Sequence, residues 1–377
     1  MMTSITDPDG AIMPAMPPFR SEGNGPWVIT RHADASLILR SPAFRMASPL
    51  QRVERIAARA RRDYSDLLAL MEQTLLFQDG PSHLANRQSV RRIVQQGMAR
   101  WPASATLAEA QRIAASVPSG GAIDAVVHLA DPLPSLILAS MLGLPIDQAM
   151  ALRADATMVT RAWSHACSLR DYDACQDAAR RLRRELRSSL QRDSVETGDA
   201  SFDLIAFLLV AGADSIAGTI SAALDLLARN PAWQARLQSE PTLMPGFIRE
   251  TLRLAGPLRR FNRRVAQTAV DIGDVSIAPG DLVLLRIDSA HRDAEAFAYP
   301  DQIDPGRKNG PLLAFGGGAH MCQGPLLGAM EAEMMVTAII DRFQIHPAAA
   351  RGVLLDHEDW RVFAHLPLIL TPVAAEQ

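Results

Sequence analysis

Residues Phe315 to Gly324 read Phe-Gly-Gly-Gly-Ala-His-Met-Cys-Gln-Gly and run directly into an apolar pattern that begins at Pro325. This stretch constrains the fold more than any other: a glycine-rich turn must carry Cys322 to the start of a helix. Glycine lets the main chain take dihedrals closed to other residues and lets other groups approach closely. Backbone N–H donors and a helix N-terminus both stabilise a thiolate, the form of cysteine that binds metals. Taken alone, a buried cysteine in a glycine-rich turn is the commoner outcome. The full spacing Phe-Gly-x-Gly-x-His-x-Cys-x-Gly points instead to a ligating thiolate. In that reading Phe315 shields the sulfur from water, and His320 meets the edge of a flat cofactor.

This spacing resembles the haem-binding loop of the cytochrome P450 family, in which a cysteine thiolate is the axial iron ligand. The resemblance runs from about Pro26 to Pro367, with the family's motifs in order. It implies a mainly α fold with a smaller β region, a long central helix over the haem and the cysteine loop on the opposite face. It also implies haem b (iron protoporphyrin IX) as cofactor, with Phe315, His320, Cys322 and Gly324 in the haem-binding loop and Cys322 on the iron.

Composition bounds the alternatives. The chain has 377 residues, 48% hydrophobic and 21% charged, enough for a large core. A net charge of −3 gives no reason to expect nucleic acid or an anionic membrane as partner. Three cysteines, Cys167, Cys175 and Cys322, make no secreted disulfide framework, so a reducing cytoplasm is the expected compartment. The first twenty residues lack the basic start and apolar core of a signal peptide. The longest uncharged run considered as a membrane span, Leu204 to Ala213, is about half the length a membrane helix needs.

No repeat or low-complexity linker divides the sequence, so 1–377 reads as one domain with an irregular segment over 1–25. A β-like stretch spans Trp27 to Thr30. From Asp34 to about Arg192 the pattern is mostly helical, broken at Asp79-Gly80-Pro81, Pro118-Ser119-Gly120-Gly121 and Gly143-Leu144-Pro145. Phe202 to Arg229 reads as one long helix stopped by Asn230-Pro231. Val265 to Ile287 reads as β-hairpins around Gly273-Asp274 and Pro279-Gly280. Helix resumes after Gly324, and Leu366 to Leu370 reads as a last strand.

Four further constellations accompany the loop. Glu250 and Arg253 lie three apart on one helical face; alone they read as a surface ion pair, whereas the resemblance implies a buried scaffold pair supported by a later arginine or histidine. His83 and Arg87, four apart, read alone as a solvated face; the family pattern, met here except that Gly80 replaces a proline, implies a grip on a haem propionate. A third anchor falls on Arg263 or Arg264, because one residue looks inserted there, with Arg264 favoured. In Ala211-Gly212-Ala213-Asp214-Ser215, the glycine suits close passage of a flat cofactor. Ser215 suits a loosened helical ladder, and Asp214 a link to bulk protons. Taken alone this is a kinked helix with a chance acid. The resemblance makes Asp214 and Ser215 the catalytic proton relay, with serine where threonine is usual. Ala329 likewise stands where the family commonly has arginine.

The resemblance therefore implies a haem-thiolate monooxygenase hydroxylating an apolar small molecule in secondary metabolism. No dinucleotide or flavin fingerprint appears, so electrons are expected from a ferredoxin and an NAD(P)H-dependent ferredoxin reductase. Arg91 and Arg92 read equally as their docking point or as solvated charge. A cytoplasmic monomer is expected. The alternatives are a peroxide-using or non-oxygenating haem-thiolate enzyme, or a non-catalytic haem-binding sensor.

Overall fold

Helices dominate the computed structural model, which describes residues 12–21, 25–118, 120–164, 167–192, 202–308, 310–355 and 357–373. In chain order they are α1 (His32–Arg40), α2 (Leu50–Ala60), α3 (Ser65–Gln73), α4 (Gly80–Arg100), α5 (Ala103–Ser116), α6 (Pro132–Leu142) and α7 (Ile146–Thr160). There follow α8 (Leu169–Arg192), α9 (Phe202–Arg229), α10 (Pro231–Ser239), α11 (Met244–Ala255), α12 (Ile287–Ala290) and α13 (Pro325–Ile340). The strands are β1 (Phe19–Arg20), β2 (Trp27–Ile29), β3 (Phe44–Met46), β4 (Ala122–Asp124), β5 (Arg260–Ala266) and β6 (Val270–Ile272). The remaining strands are β7 (Val275–Ile277), β8 (Leu282–Arg286), β9 (Phe343–Pro347), β10 (Val353–Leu354), β11 (Phe363–His365) and β12 (Pro367–Pro372).

Proline and glycine set many of the limits. Helix α9 ends where Asn230 precedes Pro231, because the residue before a proline is driven out of the helical region, and α10 starts on that proline. Gly80 (φ 70°) and Gly143 (φ 68°) hold left-handed turns at the start of α4 and before α7. Strands β3 and β4 fall inside the stretch that reads as helical. Each is three residues long, too short for a period of two to show.

The chain separates into two compact units. One comprises 46–105 and 134–214. Its core is a helical stack in which Leu152, Ala156 and Val159 of α7 bury with Ala178, Ala179, Leu182 and Leu186 of α8. These positions recur at the helical period, one apolar stripe per helix. Each fully buried leucine contributes on the order of 1.5–3 kcal/mol. Gln176 ties α8 to α3 without an orphaned amide: its Oε1 accepts from the Leu67 N–H at 2.9 Å, and its Nε2 donates to Asp66 at 3.1 Å.

The other unit comprises 1–45, 106–133 and 215–377. Its larger sheet has the order β1-β2-β8-β5-β3, with β2 and β8 parallel. Strand β1 corrects the expectation of an irregular segment up to residue 25. It pairs with β2, Arg20 opposite Trp27, and both side chains donate to Asp281, at 2.6 and 2.9 Å. Those bonds, the Arg20 one foremost, hold the Asp281 carboxyl down at about 2. A hairpin of β6 and β7 turns at Gly273 (φ 57°), and β12 lies between β4 and β9.

Glu250 and Arg253 are buried, each 2% exposed, and bonded twice at 2.8 Å. Arg307 supplies the later support, 3.2 Å from both Glu250 oxygens, and the Asp304 N–H donates to Glu250 at 3.0 Å. Arg253 also donates to the His291 and Gln302 carbonyls at 2.9 Å. Two guanidinium groups around one carboxylate therefore hold the segment 291–307 on α11.

The reading that no segment is long and apolar enough for a membrane needs correction. Helix α9, with 28 residues and a mean hydropathy of 1.8 over its most apolar window, passes that test by length and composition. Asp214 falls mid-helix and interrupts the uncharged run, which therefore understates the helix's apolar length. Its window is 65% buried inside the protein, as for a core helix that is apolar nearly all round.

Candidate functional site

The Cys322 loop is fastened by its own backbone. The Cys322 N–H donates to the Phe315 carbonyl at 2.8 Å, and the Gly316 N–H to that of Leu313 at 2.8 Å. Gly316 (φ 72°) and Gly318 (φ 62°) are left-handed. At Gly318 a Cβ would also lie 2.5 Å from the Leu39 carbonyl oxygen, so packing on α1 requires that glycine too. The base of the loop rests on two histidines. The Leu313 N–H donates to His291 Nε2 at 2.9 Å, and His32 Nε2 meets the Pro311 carbonyl at 2.8 Å. Burial drives His291 down to about 3, which leaves its ring neutral and Nε2 an acceptor.

The Gly324 N–H points at the Cys322 sulfur, 3.4 Å away, and Gly324 caps the 16-residue α13. The sulfur thus sits at the positive end of a helix with an N–H aimed at it, a setting that favours thiolate. Cys322 is exposed and Phe315 half-buried. An exposed thiol with oriented donors fits a metal-ligating group better than a structural core cysteine. His320, half-buried, ends the short 3-10 turn Gly318–His320.

On α4, His83 is 2% exposed and Arg87 half-buried, so the pair is not the solvated face that spacing alone suggested. Gly80 explains the missing proline, since a φ of 70° is closed to a ring that locks φ near −65°. Arg91 and Arg92 are exposed, with Arg92 donating to the Ser89 hydroxyl at 3.2 Å. The inserted residue is a β-bulge: Phe261 pairs with Leu285 but Arg264 with Val283, three steps on β5 against two on β8. Arg264 thereby takes the place in register that Arg263 would otherwise hold. Its side chain is 4% exposed, whereas the side chain of Arg263 lies outside the described residues.

Helix α9 is unbroken through Ala211 to Ser215. One turn on, the Thr219 hydroxyl donates to the Ser215 carbonyl at 2.9 Å. At Gly212 a Cβ would meet Leu138 of α6 at 3.3 Å. Asp214 is gripped by α7: Arg153 donates to it at 2.8 and 2.9 Å and the Thr157 hydroxyl at 2.7 Å. Arg153 also donates to the Ser135 hydroxyl at 3.0 Å.

Residues 202–369 match the sequence profile of the Cytochrome P450 family. Cyclomarin C epoxidase CymV of Salinispora arenicola (strain CNS-205) is 31% identical over 318 residues, 77% of this chain and 78% of that protein. The chain belongs to the cytochrome P450 family. Nocardicin C N-oxygenase of Nocardia uniformis subsp. tsuyamanensis is 28% identical across 90% of this P450 and 86% of its own length. The fold matches that of P450BioI, solved in complex with an acyl carrier protein ligated to hexadec-9Z-enoic acid. The TM-score is 0.82 at 22% identity, over 94% of both chains. The family binds haem b, and this P450 is an oxygen-incorporating oxidoreductase.

Sequence reasoning missed Arg153 and Thr157. They lie four apart on α7, a spacing that marks one helical face, but nothing in it names Asp214 as the partner. It also missed Glu331 on α13, whose Oε2 has no hydrogen-bond partner among the described residues. Burial pushes that carboxyl up to about 8, so it is protonated at neutral pH.

Proposed function

We propose that this P450 works as a single cytoplasmic haem-thiolate monooxygenase domain. It hydroxylates an apolar small molecule of secondary metabolism with electrons from a separate ferredoxin and NAD(P)H-dependent ferredoxin reductase. The observation that carries the oxygenating reading is Asp214, an acid held in the middle of α9 by Arg153 and Thr157 next to a hydroxyl residue. A non-catalytic haem carrier has no use for a held acid at that place.

Haem, when bound, supplies dioxygen activation. Cys322 Sγ would ligate the haem iron, its charge supported by the Gly324 N–H and by its place at the start of α13. His83, Arg87, Arg264 and His320 would hold the propionates through charge-assisted bonds. Asp214 would take up protons at its carboxylate and pass them to the Ser215 hydroxyl, which requires the carboxylate to loosen its hold on Arg153. Ser215 lacks the methyl that restrains χ1 in threonine, so its hydroxyl is less firmly aimed and some turnover ends in hydrogen peroxide.

For the propionate residues, each charge-assisted bond is worth on the order of 1.5–3 kcal/mol. Arg264→Ala and Arg87→Ala should therefore weaken haem binding about ten- to a hundredfold in competition with apomyoglobin. Arg263→Ala should leave it unchanged; a loss on Arg263→Ala with none on Arg264→Ala would reverse the assignment. For the reaction, ligands that shift the Soret band supply substrates for turnover under 18O2 with NADH and surrogate redox proteins. One 18O atom in the product is expected, and product free of label would refute the monooxygenase reading.

A further inference from the structure

His291 is gripped at both ends. Its carbonyl accepts from Arg253 Nη1 at 2.9 Å, and its ring Nε2 accepts the Leu313 N–H at 2.9 Å. An amide N–H can only donate, so Nε2 carries a lone pair and the ring proton sits on Nδ1. Burial agrees, holding the 1%-exposed histidine down at about 3 and so neutral. Phe297 meets the imidazole edge-on, the ring centroids 6.1 Å apart at 85°, which fixes the plane of the ring. From Leu313 the bonds run on to the cysteine. The Leu313 carbonyl accepts the Gly316 N–H at 2.8 Å. The carbonyl of that same peptide unit, on Phe315, accepts the Cys322 N–H at 2.8 Å. The series ends at the sulfur, which the Gly324 N–H meets at 3.4 Å.

We propose that His291 is a positioning residue for the Cys322 thiolate, setting through the 313–316 turn how squarely the sulfur meets its donor. The proposal rests on the reading of Cys322 as the iron ligand. A hydrogen bond to a ligating sulfur draws off charge and raises the reduction potential of the iron. Without the His291 acceptor, the N–H of Leu313, itself 1% exposed, is left buried and unsatisfied, a cost that the turn relieves by moving. The sulfur then leaves the Gly324 N–H and donates more charge to iron. The pair of Glu250 and Arg253 thereby bears on the reaction as well as on the fold, because Arg253 holds the other end of His291.

Two substitutions separate the acceptor from the shape of the side chain. His291→Phe keeps a ring beside Phe297 and removes the acceptor; His291→Gln keeps an acceptor oxygen and removes the ring. Holoproteins matched for haem content are titrated spectroelectrochemically. His291→Phe should move the reduction potential to more negative values and lose haem about ten- to a hundredfold more readily to apomyoglobin. His291→Gln should keep the wild-type potential, whatever it loses in melting temperature. An ester in place of the Leu313 amide removes the donor with every side chain kept, and should give the same negative shift even where His291→Phe fails to load haem. A wild-type potential in the Phe or the ester variant, or a shift confined to His291→Gln, would overturn the proposal. The reduced carbon monoxide band of the wild type is recorded first, so failure of the Cys322 assignment shows there, separately from failure of the His291 role.

Discussion

Glu250→Ala is expected to destabilise this P450 by about 3–5 kcal/mol, the cost of leaving a buried charge without its partner. The carboxylate lies between Arg253 and Arg307, 2% and 8% exposed, and both would remain after the substitution. Native domains hold only about 5–15 kcal/mol in total, so the loss is a large share. Arg253 also donates to carbonyls of the segment that leads to the cysteine loop, so haem loading should fall with stability. Urea denaturation followed by circular dichroism checks this. A wild-type midpoint with full haem content would contradict the pair's role as scaffold.

Asp214→Asn should slow oxygen activation on the order of a hundredfold, the lower range for a positioned proton donor, while substrate still shifts the Soret band. An amide keeps hydrogen bonds to Arg153 and Thr157 but carries no exchangeable acid proton. Ser215→Thr should move the opposite observable, raising product and lowering peroxide per NADH consumed. The two substitutions together separate supply of protons from their aim. An Asp214→Asn enzyme that matches wild type in rate and coupling would remove Asp214 from the relay, and the peroxide-using or non-oxygenating alternative would then gain support.

The parts of this protein legible in its sequence are those set by local chemistry. Asn230-Pro231 stops α9 where the backbone rule says it must, and Gly273 and Gly280 turn the strands around them. The cysteine loop is legible for the same reason, because its dihedrals and the capping of α13 depend on residues within ten positions. The Glu250 pair was legible only in part: spacing placed it on one face, but its burial depends on Arg307, distant in sequence. Arg153 and Thr157 were not legible at all, because their partner lies on another helix 57 and 61 residues away. The packing of Gly212 against Leu138 was not legible either, because that neighbour comes from α6. The β-bulge is an instructive intermediate: residue spacing implies an insertion, but only pairing with β8 places Arg264 opposite Val283.

The central claim is that the Cys322 thiolate ligates iron. The Gly324 N–H aimed at the sulfur and its place at the start of α13 support that claim. The most direct measurement is the absorption spectrum of the reduced carbon monoxide complex, in wild type and in Cys322→Ala. Thiolate ligation predicts the long-wavelength Soret band in the wild type and its complete loss in the variant. The same band retained by Cys322→Ala would contradict the account.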